Sequence, residues 1–187
     1  QKADALEDAY YKAEKIDPAF DWHHGHNLDL LASCFEHKGQ MKTPEKIFRE
    51  SADLGSVGAY PAFNKREMPG FLIHRGRYAE ALEAAGKMTR SEYPQSRTAG
   101  HALAGEAYVD LGKIKEAEAE LKKAQEELAT VPVVTPGIVP RRASVEPLVE
   151  ALRGEILMRT GKPAEGRTVL KEVQRRLRAI PGPDAWS

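Results

Sequence analysis

The chain has almost no cysteine, no net charge and no long apolar run. Cys34 stands alone among 187 residues, so no internal disulfide can form and cysteine usage leaves the redox compartment open. Lys and Arg number 28, Asp and Glu 28. A balanced charge supplies no field that would draw the chain to nucleic acid or to an anionic membrane. No stretch approaches the roughly 18 uninterrupted apolar residues of a membrane span. The common catalytic signatures are missing as well. Ser33, Ser51 and Ser56 lie outside any Gly-x-Ser-x-Gly elbow. There is no glycine-rich phosphate loop, no His-Glu-x2-His and no paired Cys-x2-Cys. Nothing from Gln1 onward reads as a secretory signal.

What the chain does contain is a helical hairpin, written most clearly over residues 101–124. Leu103, Ala104, Ala107, Tyr108 and Leu111 recur at the spacing of one helix face. Gly112 supplies the left-handed residue on which a helix commonly ends. A second helix follows with Ile114, Ala117, Leu121 and Ala124 on its inner stripe. Its outer face is Lys and Glu, and Glu118 stands four residues before Lys122 in the supporting orientation. Ala104, Gly105, Ala117 and Ala124 are short, which lets two helices approach closely.

The turn phrase Gly112-Lys-Ile-Lys-Glu116-Ala117 has relatives elsewhere in the chain. Gly76-Arg-Tyr-Ala-Glu80-Ala81 is nearly the same, and Gly161-Lys-Pro-Ala-Glu165-Gly166 and Gly39-Gln-Met-Lys-Thr43-Pro44 are weaker copies. Gly39, Gly76 and Gly112 fall at intervals close to the period of a helix–turn–helix repeat, with Gly161 after a longer gap. On these residues the chain resembles the tetratricopeptide repeat (TPR) family. Units of that family run Trp-x2-Leu-Gly-x2-Tyr, then Ala-x3-Phe, and close on Pro. His101, Ala104, Gly105, Tyr108, Ala117 and Leu121 fall on those positions. Gly105, Tyr108 and Ala117 are identical to the pattern, and the other three are substitutions. Leu6, Tyr10, Ala13 and Pro18 fit a second helix alone, and Ala185-Trp186 fits the opening of a further unit.

The resemblance implies an all-α, right-handed superhelical solenoid of stacked antiparallel helix pairs over residues 1–187, a piece of a longer array. Its expected parts are an orphan second helix (1–18), units at 22–57, 60–93 and 97–128, a proline-rich loop (129–143) and a last unit (144–181). Within them, local chemistry predicts several boundaries. Thr43 should cap a helix whose first residue is Pro44. Pro69-Gly70 should kink or divide the helix spanning about 61–75. Residues 91–96 should be loop, and Ser144 should cap the helix 145–159, with Pro147 in its first turn. Cys34 reads as a small packing residue. The segment Ala129–Pro140 cannot continue a helix; its Val and Ile suit packing on the array, either to seal a gap or to lie across the groove.

In this family the first helix of each unit faces the concave, ligand-binding side. That implication nominates His26, Asp29, Ser33, Glu36 and His37, then Phe63, Arg66 and His74, then Glu106 and Asp110. His37 and His74 occupy one slot, two residues before a turn glycine, and Asp110 continues that row. A mixed-polarity groove of this kind suits an extended peptide. The expected function is therefore non-catalytic protein or peptide binding, with no cofactor, no nucleic acid and no membrane partner. Exposed repeat ends at Leu6, Tyr10 and Trp186 would favour end-to-end association. From another class comes an alternative: a metal- or cofactor-associated domain built on His23, His24, His26, His37 and His74. Its metal ligands would be His24, His26, His37 and His74, since imidazole is a common transition-metal ligand and Cys34-x2-His37 adds donors.

Overall fold

The four turn glycines set the architecture. In the computed structural model, which describes residues 2–133 and 142–179, Gly39, Gly76, Gly112 and Gly161 all take positive φ, between 70° and 80°. The residue after each turn glycine donates its N–H to a carbonyl five residues back: Gln40 to Phe35, Arg77 to Leu72, Lys113 to Tyr108 and Lys162 to Leu157. This is one helix-ending turn used four times, and it reverses the chain into a hairpin each time.

The helices so formed are α1 (Lys2–Glu14), α2 (Trp22–His37), α3 (Lys42–Asp53), α4 (Ala59–Asn64), α5 (Glu67–His74), α6 (Tyr78–Met88), α7 (Pro94–Asp110), α8 (Ile114–Thr130), α9 (Arg142–Arg159) and α10 (Pro163–Ala179). No strand occurs among the described residues. The pairs α2/α3, α5/α6, α7/α8 and α9/α10 are hairpins. Successive first helices also touch, α2 against α4, α4 against α7 and α7 against α9. The second helices α6 and α8 pack on the first helix of the next pair, α7 and α9 respectively.

Close approach within and between these pairs rests on missing side chains. A Cβ at Gly105 would stand 2.3 Å from a Leu152 methyl, and one at Gly166 2.6 Å from the Gly154 carbonyl oxygen. One continuous core holds Leu28, Phe48, Phe71, Leu72, Met88, Leu103, Leu128 and Val145, and a second holds Val109, Ala117, Leu152 and Ile156. Burying each of the larger side chains is worth about 1.5–3 kcal/mol. Helix α1 is held chiefly by polar links. The Tyr11 hydroxyl donates to Asp21 at 2.7 Å, and Glu7 accepts from Asn27 at 2.6 Å and from His24 at 3.1 Å.

Several boundaries differ from the sequence expectation. The break in the third unit falls at Lys65 and Arg66, and Pro69 sits in the first turn of α5, where a missing N–H costs nothing. In α3 the same holds for Pro44, because the helix begins at Lys42, without a Thr43 cap. Helix α7 starts at Pro94, inside the expected loop, as proline suits the first helical position. Helix α9 starts at Arg142, so Ser144 lies within it and Pro147 is internal. Cys34 is exposed rather than packed. Val131 is buried and Val133 exposed; the rest of the proline-rich segment, residues 134–141, and the expected further unit at Ala185-Trp186 lie outside the described residues.

Candidate functional site

Each first helix ends on its turn glycine, so positions counted back from that glycine align between pairs. Six residues before it stand Ser33, Gly70, Glu106 and Glu155; two residues before it stand His37, His74, Asp110 and Arg159. The last two pairs place carboxylates at three of these aligned positions. Glu106 is half-buried in α7, Glu155 is half-buried in α9, and Asp110 is exposed at the end of α7. Burial, and next the Asp110 charge, raise Glu106 above the usual glutamate range. Burial also pushes Glu155 up to about 7, helped by the charges of Glu106 and Asp110 and opposed by Arg159. Arg159 reaches Asp110 across a loose 3.7 Å contact. The facing first helices thus hold three carboxylates that repel one another, with one weakly engaged cation beside them. Such an arrangement favours a positively charged visitor, which would relieve the repulsion and recover part of the desolvation cost.

The other nominated residues are dispersed. Asp29 is buried between α2 and α3, where Oδ1 accepts a 2.9 Å hydrogen bond from Ser51 and Oδ2 has no hydrogen-bond partner. Its carboxyl is pushed up to about 7, first by burial and then by the Glu67 charge. Asp29 is therefore a core group, not a groove contact. Phe63 is also core, 4 % exposed. Arg66 lies over the Phe63 ring at 4.2 Å and donates to Asn64 Oδ1 at 3.0 Å, with 11 % of its side chain exposed. A charge reversal there strikes packing. Arg66→Glu is expected to lower stability by about 2 kcal/mol in urea unfolding; an unchanged midpoint would place Arg66 at the surface instead. Ser33 and Glu36 are half-buried on α2.

The histidines have separate surroundings. His24 is buried against Glu7 and the Tyr11 ring. His26 packs at 5.7 Å from Trp22 and 6.3 Å from Tyr60, and burial lowers its pKa. His37 Nδ1 donates to the Ser33 carbonyl at 2.8 Å. His23 stacks on Trp22 at 3.9 Å, and His74 is exposed at the end of α5. Among the described residues no three His, Cys, Asp or Glu side chains are grouped so as to hold a metal ion. The metal ligands expected from the sequence do not converge: His24, His26 and His37 each pack on or bond to a separate neighbourhood, and His74 stands exposed at the end of α5.

Sequence reading missed Glu155 and Arg159. The signal for both was the register itself, since they repeat the slots of Glu106 and Asp110 one pair later. No protein-family model matches the chain, and neither a curated protein nor a solved structure is similar to it.

Proposed function

We propose that the chain is a non-catalytic scaffold of the TPR type, a right-handed solenoid that holds an extended segment of a protein partner along its first helices. A Lys or Arg side chain of that partner enters among Glu106, Asp110 and Glu155. The observation that carries this reading is the aligned carboxylate row on facing first helices, with Glu106 and Glu155 half-buried, Asp110 exposed and Arg159 only loosely engaged as a cation. Four copies of one helix-ending turn, and the contacts between successive first helices, support the repeat. The alternative, a metal- or cofactor-associated domain using the histidines, has no comparable cluster behind it.

The test is anisotropy of a labelled extended peptide carrying several Lys and Arg residues, against its Glu-substituted counterpart. The basic peptide is expected to bind at least tenfold more tightly. Glu106→Gln with Glu155→Gln together should remove that preference while leaving the melting temperature equal or higher, because the substitutions end a repulsion. Equal affinity for both peptides, or a preference that survives both substitutions, would contradict the reading.

A further inference from the structure

A cleft of about 450 Å3 lies between the second helices α3 and α6, away from the carboxylates of α7 and α9. Ala62, Met68, Leu72 and Met88 give it an apolar floor, and all four are at most 4 % exposed. Two methionines in such a floor adapt to the shape of what lies on them. Both ends are tied. At one, Arg49 of α3 bonds Glu80 of α6 at 3.0 Å, with Arg77 also bridging Glu45 at 2.7 Å. At the other, the Gly58 N–H donates to the Tyr93 hydroxyl oxygen at 2.9 Å. These links bound the cleft to the length of a short molecule, and cavities of this size are typical small-molecule sites.

Charge in the cleft is layered by depth. Asp53, Glu83, Lys87, Arg90 and Glu92 line it from exposed positions, where the signs are mixed and water screens them. Lys65 is the half-buried charge beneath them. Its ammonium donates to the Ala52 carbonyl at 3.0 Å and to the Leu54 carbonyl. An ammonium carries three N–H groups, so one donor remains. The Tyr93 hydroxyl accepts from Gly58, and its own proton is available to an acceptor. Burial lowers the Lys65 pKa, with Asp53 opposing and Lys87 adding to the shift; a nearby anion would offset it.

The geometry points to a second binding site here, for a small amphipathic carboxylate. Its head group takes the Lys65 ammonium and the Tyr93 hydroxyl, and its short apolar chain lies on Met68, Leu72 and Met88. This site is independent of the peptide-binding face.

Head-group chemistry separates the outcomes in the unaltered protein. Octanoate, octanol and octylamine share a chain, and calorimetric titration of each reads the value of the charge. Octanoate is expected to bind one-to-one and at least tenfold more tightly than the other two, with NMR shifts at the Met68 and Met88 methyl groups. Lys65→Met should bring octanoate down to the affinity of octanol. Should that variant lose its fold, Ala84→Phe, which fills the cleft from α6, should abolish octanoate binding in a folded protein. Equal affinities for the three head groups, no saturable octanoate binding, or methionine shifts unmoved by octanoate would overturn the assignment.

Discussion

Alanine at Gly166 is expected to destabilise the protein by roughly 3 kcal/mol, while alanine at Gly86 is expected to stabilise it by about 1 kcal/mol. The two glycines are both helical, and only their surroundings differ. A Cβ at Gly166 would sit 2.6 Å from the Gly154 carbonyl oxygen, 2.8 Å from Met158 Cγ and 2.9 Å from the Met158 nitrogen. Two of these atoms are backbone, so α9 and α10 would have to separate, and Val173 and Ile156 would lose packing with them. A Cβ at Gly86 would meet nothing within 4 Å. There alanine simply removes backbone freedom from the unfolded chain. Urea unfolding of both variants checks the pair. A Gly166→Ala protein as stable as the parent would mean that the last hairpin is not as tightly packed as described.

Stability is expected to fall by several kcal/mol as pH rises from about 4 to about 8, and Asp29→Asn is expected to flatten much of that slope. The sign follows from counting protons. In the unfolded chain the Asp29 carboxyl ionises near its ordinary 3.8, whereas the folded protein holds the proton up to about 7. Between those values the folded state binds more protons, so the stability present at low pH is lost through this window and levels off above it. For Asp29 alone the ceiling is roughly 4 kcal/mol. Glu155, also raised to about 7, adds a smaller contribution of the same sign. Asparagine keeps the acceptor for Ser51 and removes the ionisation, although its buried amide leaves donors unpaired at a cost of about 1–3 kcal/mol. The informative readout is therefore the slope of unfolding free energy against pH, more than its value at one pH. An unchanged slope in Asp29→Asn would show that the buried carboxyl is not the source.

The hairpins were legible in the sequence because one residue type does one job. Only glycine takes the left-handed turn cheaply, so Gly39, Gly76, Gly112 and Gly161 marked the turn inside each of the four hairpins, and the apolar stripes between them gave the helices. Proline was harder to place. Pro44, Pro69 and Pro94 all stand in the first turn of a helix, where the same lack of an N–H that breaks a helix interior is harmless; the sequence supplied the constraint without saying which side of the boundary applied. Site residues were less legible again. Asp29 shares helix α2 with half-buried Ser33 and Glu36, but its burial depends on Ser51 and the approach of α3, a tertiary fact. Glu155 was overlooked for a different reason: its slot was readable from Gly161, while the raised pKa that singles it out comes first from burial and then from Glu106 and Asp110 on the neighbouring helix, both tertiary facts.

We propose that the α7–α9 face binds a basic segment through Glu106, Asp110 and Glu155. NMR titration of the protein with a Lys- and Arg-containing extended peptide, at pH 8 and again at pH 6, tests it most directly. Side-chain carboxyl shifts are expected at those three residues, saturating at pH 8. Binding should weaken at pH 6, where Glu155 carries its proton, and should weaken at high salt. Shifts confined to other helices, or an affinity indifferent to pH and salt, would contradict it.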